Sequence, residues 1–289
     1  MSKRRTVAQG PLGVHVLRVA VIVVALAFSL APVLYGIAMS LRPMSAIVNN
    51  PLSLIPAFNQ IDLSSYPTAL RSESQGGFGL GRFIGNSMFI ALGTVIFAIA
   101  FSVLGAYAAV RLRFFGKRSI NGMILAVYLF PGIVLAVPLF VLMSRIGLTG
   151  SLVGLMIIYV AQTVPVALYM LRNYFQAIPE SIEEAALIDG CSLPVLLRKI
   201  VLPIAMPGIV ATGLYVFMIA WNEYLFALLF LVQDRPRWTV SLGIAQLTEF
   251  TVPVPILMAG SVAITIPVVI GFFAAQRLLV SGLTAGAEK

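Results

Sequence analysis

Long runs without a single charged residue alternate with short polar stretches along this chain, and the two lengths decide its class. Val19–Leu41, Phe83–Val110, Ser119–Ser144, Ile146–Leu171 and Phe250–Gln276 carry no charge, and Ile200–Val232 carries only Glu223. A helix rises about 1.5 Å per residue, so about 20 apolar residues cross a hydrocarbon core about 30 Å thick. Each run clears that length. The pattern predicts an all-α membrane protein with six transmembrane helices. Three regions follow: a lead over 1–18, a six-span domain over 19–279 with a polar loop at 178–203, and a tail over 280–289.

The polar stretches are mostly short. Pro43–Gly81 and Gln233–Glu249 read as loops on one side of the membrane, and Arg111–Arg118 as a tight turn on the other. Pro131, Pro138, Pro165 and Pro267 lie inside the expected spans, where each removes one backbone hydrogen bond. The segment 178–203 is different, because its residues read as a helix-turn-helix. Ser181 and Glu184 have the spacing of a capping box, and Glu180, Glu183 and Glu184 put negative charge near the first turn. Gly190 supplies a stop, Ser192 a second cap with Pro194 in the first turn, and Pro203 and Pro207 a redirection into the fifth span. Ile182, Ala185, Ala186 and Leu187 offer a small apolar face that admits another surface closely. A lipid-surface helix is usually basic and a DNA-reading helix must tolerate phosphate, so an acidic helix here points to a soluble protein partner.

Composition agrees with the pattern. Sixty per cent of residues are hydrophobic, ten per cent are charged and the mean hydropathy is +1.02, too few charges to solvate a globular surface of 289 residues. The formal charge of +9 is chiefly a topology signal. With the N-terminus in the cytosol, thirteen lysines and arginines fall on the cytosolic side and six opposite, so both termini are expected inside. The basic groups then meet anionic headgroups of the lipid bilayer. They form no aromatic-interleaved stripe, so no nucleic-acid partner is expected. Lys3, Arg4 and Arg5 lead into an apolar run too long for a cleaved signal, which reads as a retained anchor.

Catalytic constellations are missing from the sequence. The single cysteine, Cys191, and single histidine, His15, assemble neither a metal site nor a nucleophile-base pair. Gly116-Lys117 has no glycine at the earlier position that a phosphate-cradling loop needs. Glu223 is the one carboxylate inside an apolar run, and burying it at bilayer depth costs about 2.5–3.5 kcal/mol on insertion scales. Trp221, Asn222, Glu223 and Tyr224 combine hydrogen-bonding groups with aromatic faces, the mixture a sugar favours in a translocation pathway. The same residues also suit an interhelical hydrogen-bond cluster.

Glu184-Ala185-Ala186, Asp189-Gly190 and, nine residues after the glycine, Ile200-Val201-Leu202-Pro203 resemble the EAA loop of permease subunits of bacterial ABC importers. Ala220-Trp221-Asn222-Glu223-Tyr224-Leu225 resembles a span-five segment of the six-helix permease of maltose- and glycerol-phosphate-type carbohydrate importers. Gln276-Arg277-Leu278-Leu279-Val280-Ser281-Gly282-Leu283-Thr284-Ala285-Gly286-Ala287 resembles that subunit's C-terminus. Cys191 stands where the family more often has alanine.

The resemblance implies a non-catalytic subunit in the bacterial cytoplasmic (inner) membrane that moves a sugar or sugar derivative. Its implied partners are a homologous permease subunit, two ATP-binding subunits and an extracytoplasmic solute-binding protein. ATP and Mg bind in the partner ATPases, and this chain holds no cofactor. Glu184, Ala185, Ala186, Asp189, Gly190, Ile200, Leu202 and Pro203 are implied to seat in the ATPase, with Gly282, Leu283 and Thr284 reaching between its two copies. An ion-coupled secondary transporter, an intramembrane enzyme, or an ABC permease for a non-carbohydrate solute are the other readings.

Overall fold

The computed structural model describes residues 12–50, 53, 60–117, 119, 122–123, 126, 131–249 and 252–285, side chains of 12, 249 and 279–285 excepted. The described elements are all helices. In chain order they are α1 (Leu12–Ser40), α2 (Met44–Asn49), α3 (Ser65–Leu70), α4 (Leu80–Arg111), α5 (Gly132–Arg145), α6 (Leu152–Ala177), α7 (Glu180–Ile188), α8 (Leu193–Leu196), α9 (Leu202–Asn222), α10 (Leu225–Leu231), α11 (Val240–Glu249) and α12 (Val254–Ala285).

Among the described residues five helical stretches are long and apolar enough to cross a membrane: Gly13–Ser40, Leu80–Arg111, Leu152–Ala177, Leu193–Asn222 and Val254–Leu278. The shorter apolar helix α5 is the described part of the expected third span, whose first half lies largely outside the described residues. The protein is a multi-pass, all-α membrane protein.

The chain divides into two compact units. One comprises 1–69 with 252–263. From Val19 onward its α1 is apolar on every face and exposed almost to its end, with Phe28 83% exposed, as a helix needs when lipid is its solvent. Past α1 the chain turns around Arg42, which is 3% exposed and donates to the carbonyls of Ser53, Ala46 and Asn50. That guanidinium ties together carbonyls in the last turn of α2 and just beyond it. The Ser40 and Tyr66 hydroxyls share a 2.8 Å hydrogen bond, and the Asp62 amide donates to the Leu41 carbonyl at 2.8 Å, which brings the segment before α3 back to the end of α1.

The other unit, 70–251 with 264–289, is built around α4, which packs along α6 and α9. Ala98, Ala167 and Val216 meet where these three helices cross, and all are fully buried. Small side chains there bring backbones close, which is how helices associate when lipid provides no hydrophobic drive. At Gly208 the approach is closer still, since a β-carbon would lie 2.3 Å from the Tyr174 ring. Phe140 of α5 meets Phe230 of α10 edge-on at 5.4 Å.

Several sequence expectations are corrected. The run from Ile146 does not start a helix, because 146–151 form the turn that closes α5 and α6 begins at Leu152. Pro131 lies at the N-cap of α5 and not inside that helix. Gln233–Glu249 is a loop only as far as Thr239. Its second half is α11, whose Leu242 and Leu247 are buried and which packs on α4 and α9. The fifth apolar run is broken: α9 ends at Asn222, Glu223 is extended (φ −66°, ψ 128°) and α10 starts at Leu225.

Candidate functional site

The polar segment 178–203 forms an elbow at the α4 C-terminal end of the second unit. The helix α7 starts directly after Pro179, which occupies the N-cap without a side-chain bond. Ser181 and Glu184 therefore fall inside the helix, two and five positions in, and the expected capping box does not form. The C-terminal end follows expectation. Gly190 is left-handed (φ +81°), its amide donates to Leu187 at 3.0 Å and the Cys191 amide to Ala186 at 3.0 Å, the two bonds of a Schellman stop. Nothing lies within 4 Å of where a Gly190 β-carbon would point, so a substitution there acts through the backbone alone. Gly190→Ala is expected to cost about 1–2 kcal/mol, and Gly190→Asn distinctly less, because asparagine visits this conformation readily. Amide exchange across 186–192 measures the difference, and equal protection in Ala, Asn and Gly chains contradicts it.

Beyond the turn the expected second helix is not separate. α8 runs through a π-helical turn, Leu197–Val201, straight into α9, with the Leu202 amide bonded to the Leu197 carbonyl. Ser192 precedes α8 but makes no side-chain cap, and Pro203 sits in the first turn of α9. The bend expected at Pro203 and Pro207 is absorbed by this wider turn, which lets the helix continue past prolines that donate no amide.

Starting α7 at Pro179 fixes which way each residue faces. Glu183 and Ala186 point inward, 6% exposed each. Ala186 joins a buried cluster with Tyr107, Phe175, Leu196 and Val201, against which Ile200 and Leu202 also pack. The outward face carries Glu184, Ala185, Asp189 and Gly190, all exposed, with Leu187 at 52% and Ile188 at 85% exposure between the two acids. Pro203 is exposed as well. The residues expected to act together thus divide, with Ala186, Ile200 and Leu202 anchoring the elbow and the others displayed. The apolar face expected from Ile182, Ala185, Ala186 and Leu187 is likewise split between the two sides.

What holds the inward face is an arginine that the sequence reading counted only as a topology charge. Arg111, the last residue of α4, donates from Nε to Glu183 Oε1 at 2.7 Å and from Nη1 to Glu180 Oε1 at 3.3 Å. Its Nη2 donates to the carbonyls of Phe175 (3.2 Å) and Ile178 (2.7 Å), which end α6. Tyr107, one turn earlier, donates to Glu183 Oε2 at 2.9 Å and sets its ring edge-on to Phe175 at 6.1 Å. The Arg111 and Glu183 side chains are 11% and 8% exposed, so the pair is desolvated, and its single charge-assisted bond is completed by Tyr107 on the other carboxylate oxygen. Tyr107 and Arg111, four apart on one face at the end of a charge-free run, were the signal available in the sequence.

The second candidate set surrounds the helix break. Trp221 is 4% exposed and stacks on Phe217 at 5.4 Å, and Asn222 is exposed with its amide turned back to the Met218 carbonyl at 2.8 Å. Glu223 is half-buried. Tyr159 of α6, 1% exposed, donates to its Oε2 at 2.5 Å, and the Phe226 and Ala227 amides at the start of α10 donate to its two oxygens at 2.9 and 3.2 Å. Ser241 of α11 donates to the Glu223 carbonyl at 2.5 Å. Both carboxylate oxygens are therefore engaged by the protein. Tyr224 is 37% exposed. For Gly282, Leu283 and Thr284 the backbone continues α12 to Ala285, and their side chains lie outside the described residues.

Residues 101–284, which include α6 to α10 and the elbow, match the family described as binding-protein-dependent transport system inner membrane component. The chain belongs to that family. This inner membrane component is 41% identical over 207 residues to the inner membrane ABC transporter permease protein YcjP of Escherichia coli K12, covering 71% of this chain and 73% of that one. It is 35% identical over 265 residues to the trehalose transport system permease protein SugB of Mycobacterium tuberculosis, covering 91% and 93%. The fold of the inner membrane component is that of a chain in the crystal structure of a bacterial ABC transporter involved in the import of the acidic polysaccharide alginate. The TM-score is 0.80 at 23% identity, over 95% of this chain and 99% of that one. Membership sets aside the ion-coupled secondary transporter and the intramembrane enzyme.

Proposed function

We propose that this inner membrane component is the permease subunit of an ATP-driven importer for a sugar or sugar derivative, engaging separate ATPase subunits through its elbow. The observation that carries the reading is the displayed tip of α7. Leu187 and Ile188 stand exposed between Glu184 and Asp189, while the same short helix is anchored on its other side. An apolar knob ringed by acids is poorly placed against anionic lipid and well suited to a cleft in a soluble protein. Glu184, Ala185, Asp189 and Gly190 form that knob's surface, with Pro203 beside it and Ala186, Ile200 and Leu202 supporting it.

The remaining parts follow from this docking. The elbow faces the cytosol, and so do both termini, in keeping with the excess of basic residues on that side. The protein resides in a bacterial cytoplasmic membrane, pairs with a homologous permease and receives solute from an extracytoplasmic binding protein. Two ATPase subunits bind ATP and Mg and perform the hydrolysis. The tail residues Gly282, Leu283 and Thr284 reach toward those subunits. Trp221, Asn222, Glu223 and Tyr224 border the pathway, with Glu223 acting chiefly as a brace. The sugar class draws on relatives that include permeases of trehalose, trehalose/maltose and arabinooligosaccharide systems.

Glu184→Lys tests the docking. In proteoliposomes holding the full complex, ATP-dependent accumulation of one member of a labelled mono- and disaccharide panel is expected in the native protein. In the variant it is expected to fall at least tenfold while the chain still inserts. Undiminished accumulation in the variant overturns the docking. Transport of an amino acid or polyamine in place of every sugar overturns the solute class.

A further inference from the structure

We propose that the Arg111–Glu183–Tyr107 cluster is the joint through which a displacement of α7 reaches α4, making α7 and the ends of α4 and α6 one moving body. The proposal rests on the docking reading above and adds to it the residues that pass the movement inward.

A docked tip can move the spans only if its helix does not slide on them. Apolar contact alone resists separation but little opposes sliding, because dispersion is non-directional. Ala186 contributes a methyl group to the buried cluster, a shallow hold. The charged cluster supplies direction instead. Arg111 is a planar fork with its donors fixed in one plane, and here they reach two elements: the Glu183 and Glu180 carboxylates of α7 and the Phe175 and Ile178 carbonyls at the end of α6. Tyr107 grips the second Glu183 oxygen from one turn further along α4. Any shift of α7 along or across α4 stretches at least one of these bonds inside a desolvated site, where an unpaired charge is most unfavourable.

The placement on α4 adds to the argument. That helix is the hub of its unit, packed along α6 and α9, and Arg111 is its final residue. A pull at this end therefore acts on the element with the most neighbours. Meanwhile Glu184, one position from Glu183, faces the opposite way and is free for the partner. Two adjacent glutamates thus divide the work, one facing outward to the motor and one inward to the spans.

The test uses the full complex in nanodiscs, with Cys191→Ser removing the native thiol. Spin labels go at exposed Ser181 on α7 and exposed Leu104 on α4, and a separate preparation pairs Leu104 with a label on the partner permease. Distances are read without nucleotide and with Mg-ATP plus vanadate. In the otherwise native protein the Leu104–partner distance is expected to change by about a few ångström, while the Ser181–Leu104 distance stays constant. In Glu183→Gln, which keeps shape and removes charge, the Leu104–partner change is expected to be at least halved and the Ser181–Leu104 distance to shift or broaden on adding nucleotide. Arg111→Lys, which keeps charge and loses the fork, is expected to fall between, and it decides the matter should the glutamine chain not assemble. A full Leu104–partner change with an unaltered Ser181–Leu104 distance in the assembled variants overturns the joint. No Leu104–partner change in the native complex overturns the docking reading itself.

Discussion

Arg111→Met is expected to destabilise the elbow by about 3–5 kcal/mol, the range for removing one partner of a buried ion pair. The size follows from what is left behind. Glu183, 8% exposed in the native chain, is left with only the Tyr107 hydroxyl beside it, the Ile178 carbonyl loses its arginine donor, and the Phe175 carbonyl keeps only the Ile178 amide. Methionine fills much of the arginine stem's volume, so the loss is electrostatic and not a cavity. The double variant Arg111→Met with Glu183→Met removes the stranded charge and is expected to recover more than half of the loss. Thermal unfolding in mild detergent, with limited proteolysis between 178 and 203, reads both effects. A single variant as stable and as protected as the native chain, or a double variant worse than the single, contradicts the assignment.

That cluster also marks where sequence reasoning stopped. Hydropathy located the spans because crossing lipid demands a length and a composition that can be counted locally. It located the elbow for the same reason, since a polar segment stands out between two apolar runs. Gly190 was legible because its left-handed backbone restricts residue choice to a very few types. The Arg111–Glu183 pair was not, because its members are 72 positions apart and each satisfies a simpler local role: a topology charge, and an acid near a helix start. Which of Ala185 and Ala186 faces inward depends on helix phase, and the phase depends on Pro179 starting α7 two positions before Ser181. The capping-box expectation assumed a later start and so misplaced the register.

The break at Glu223 was hidden for a related reason. Trp-Asn-Glu-Tyr contains no glycine or proline, and a single acid does not interrupt an otherwise apolar run in a hydropathy count. The interruption is held by tertiary bonds, from Tyr159 to the carboxylate and from Ser241 to the backbone carbonyl, which no local pattern contains. The π-helical turn over 197–201 is similar in kind. Proline at 203 and 207 signalled trouble for a helix, and the outcome was a wider turn in an unbroken one. Helix-breaking residues in a membrane protein are tolerated where neighbouring groups accommodate the freed backbone, and neighbours are what a single sequence withholds.

Glu223→Leu is the second large effect, expected to cost about 2–4 kcal/mol from a lost helix cap of about 1 kcal/mol and an orphaned buried hydroxyl of about 1–3 kcal/mol. The leucine leaves the Phe226 and Ala227 amides without acceptors and strands the Tyr159 hydroxyl, in a residue 1% exposed. Tyr159→Phe removes that hydroxyl, so adding it to Glu223→Leu is expected to cost less than it does alone, with a coupling energy of about 1 kcal/mol or more in a double-mutant cycle. The cycle separates the two roles left open by the sequence. If Glu223 braces the break, both single variants lose stability and the cycle couples, while a Glu223→Gln chain that still unites α9 and α10 transports with an unchanged KM. If Glu223 instead contacts solute, Glu223→Gln raises KM in a normally stable complex and the Tyr159 cycle is additive. The geometry favours the brace, because both carboxylate oxygens already face donors that the protein supplies, and a solute hydroxyl would have to displace one of them.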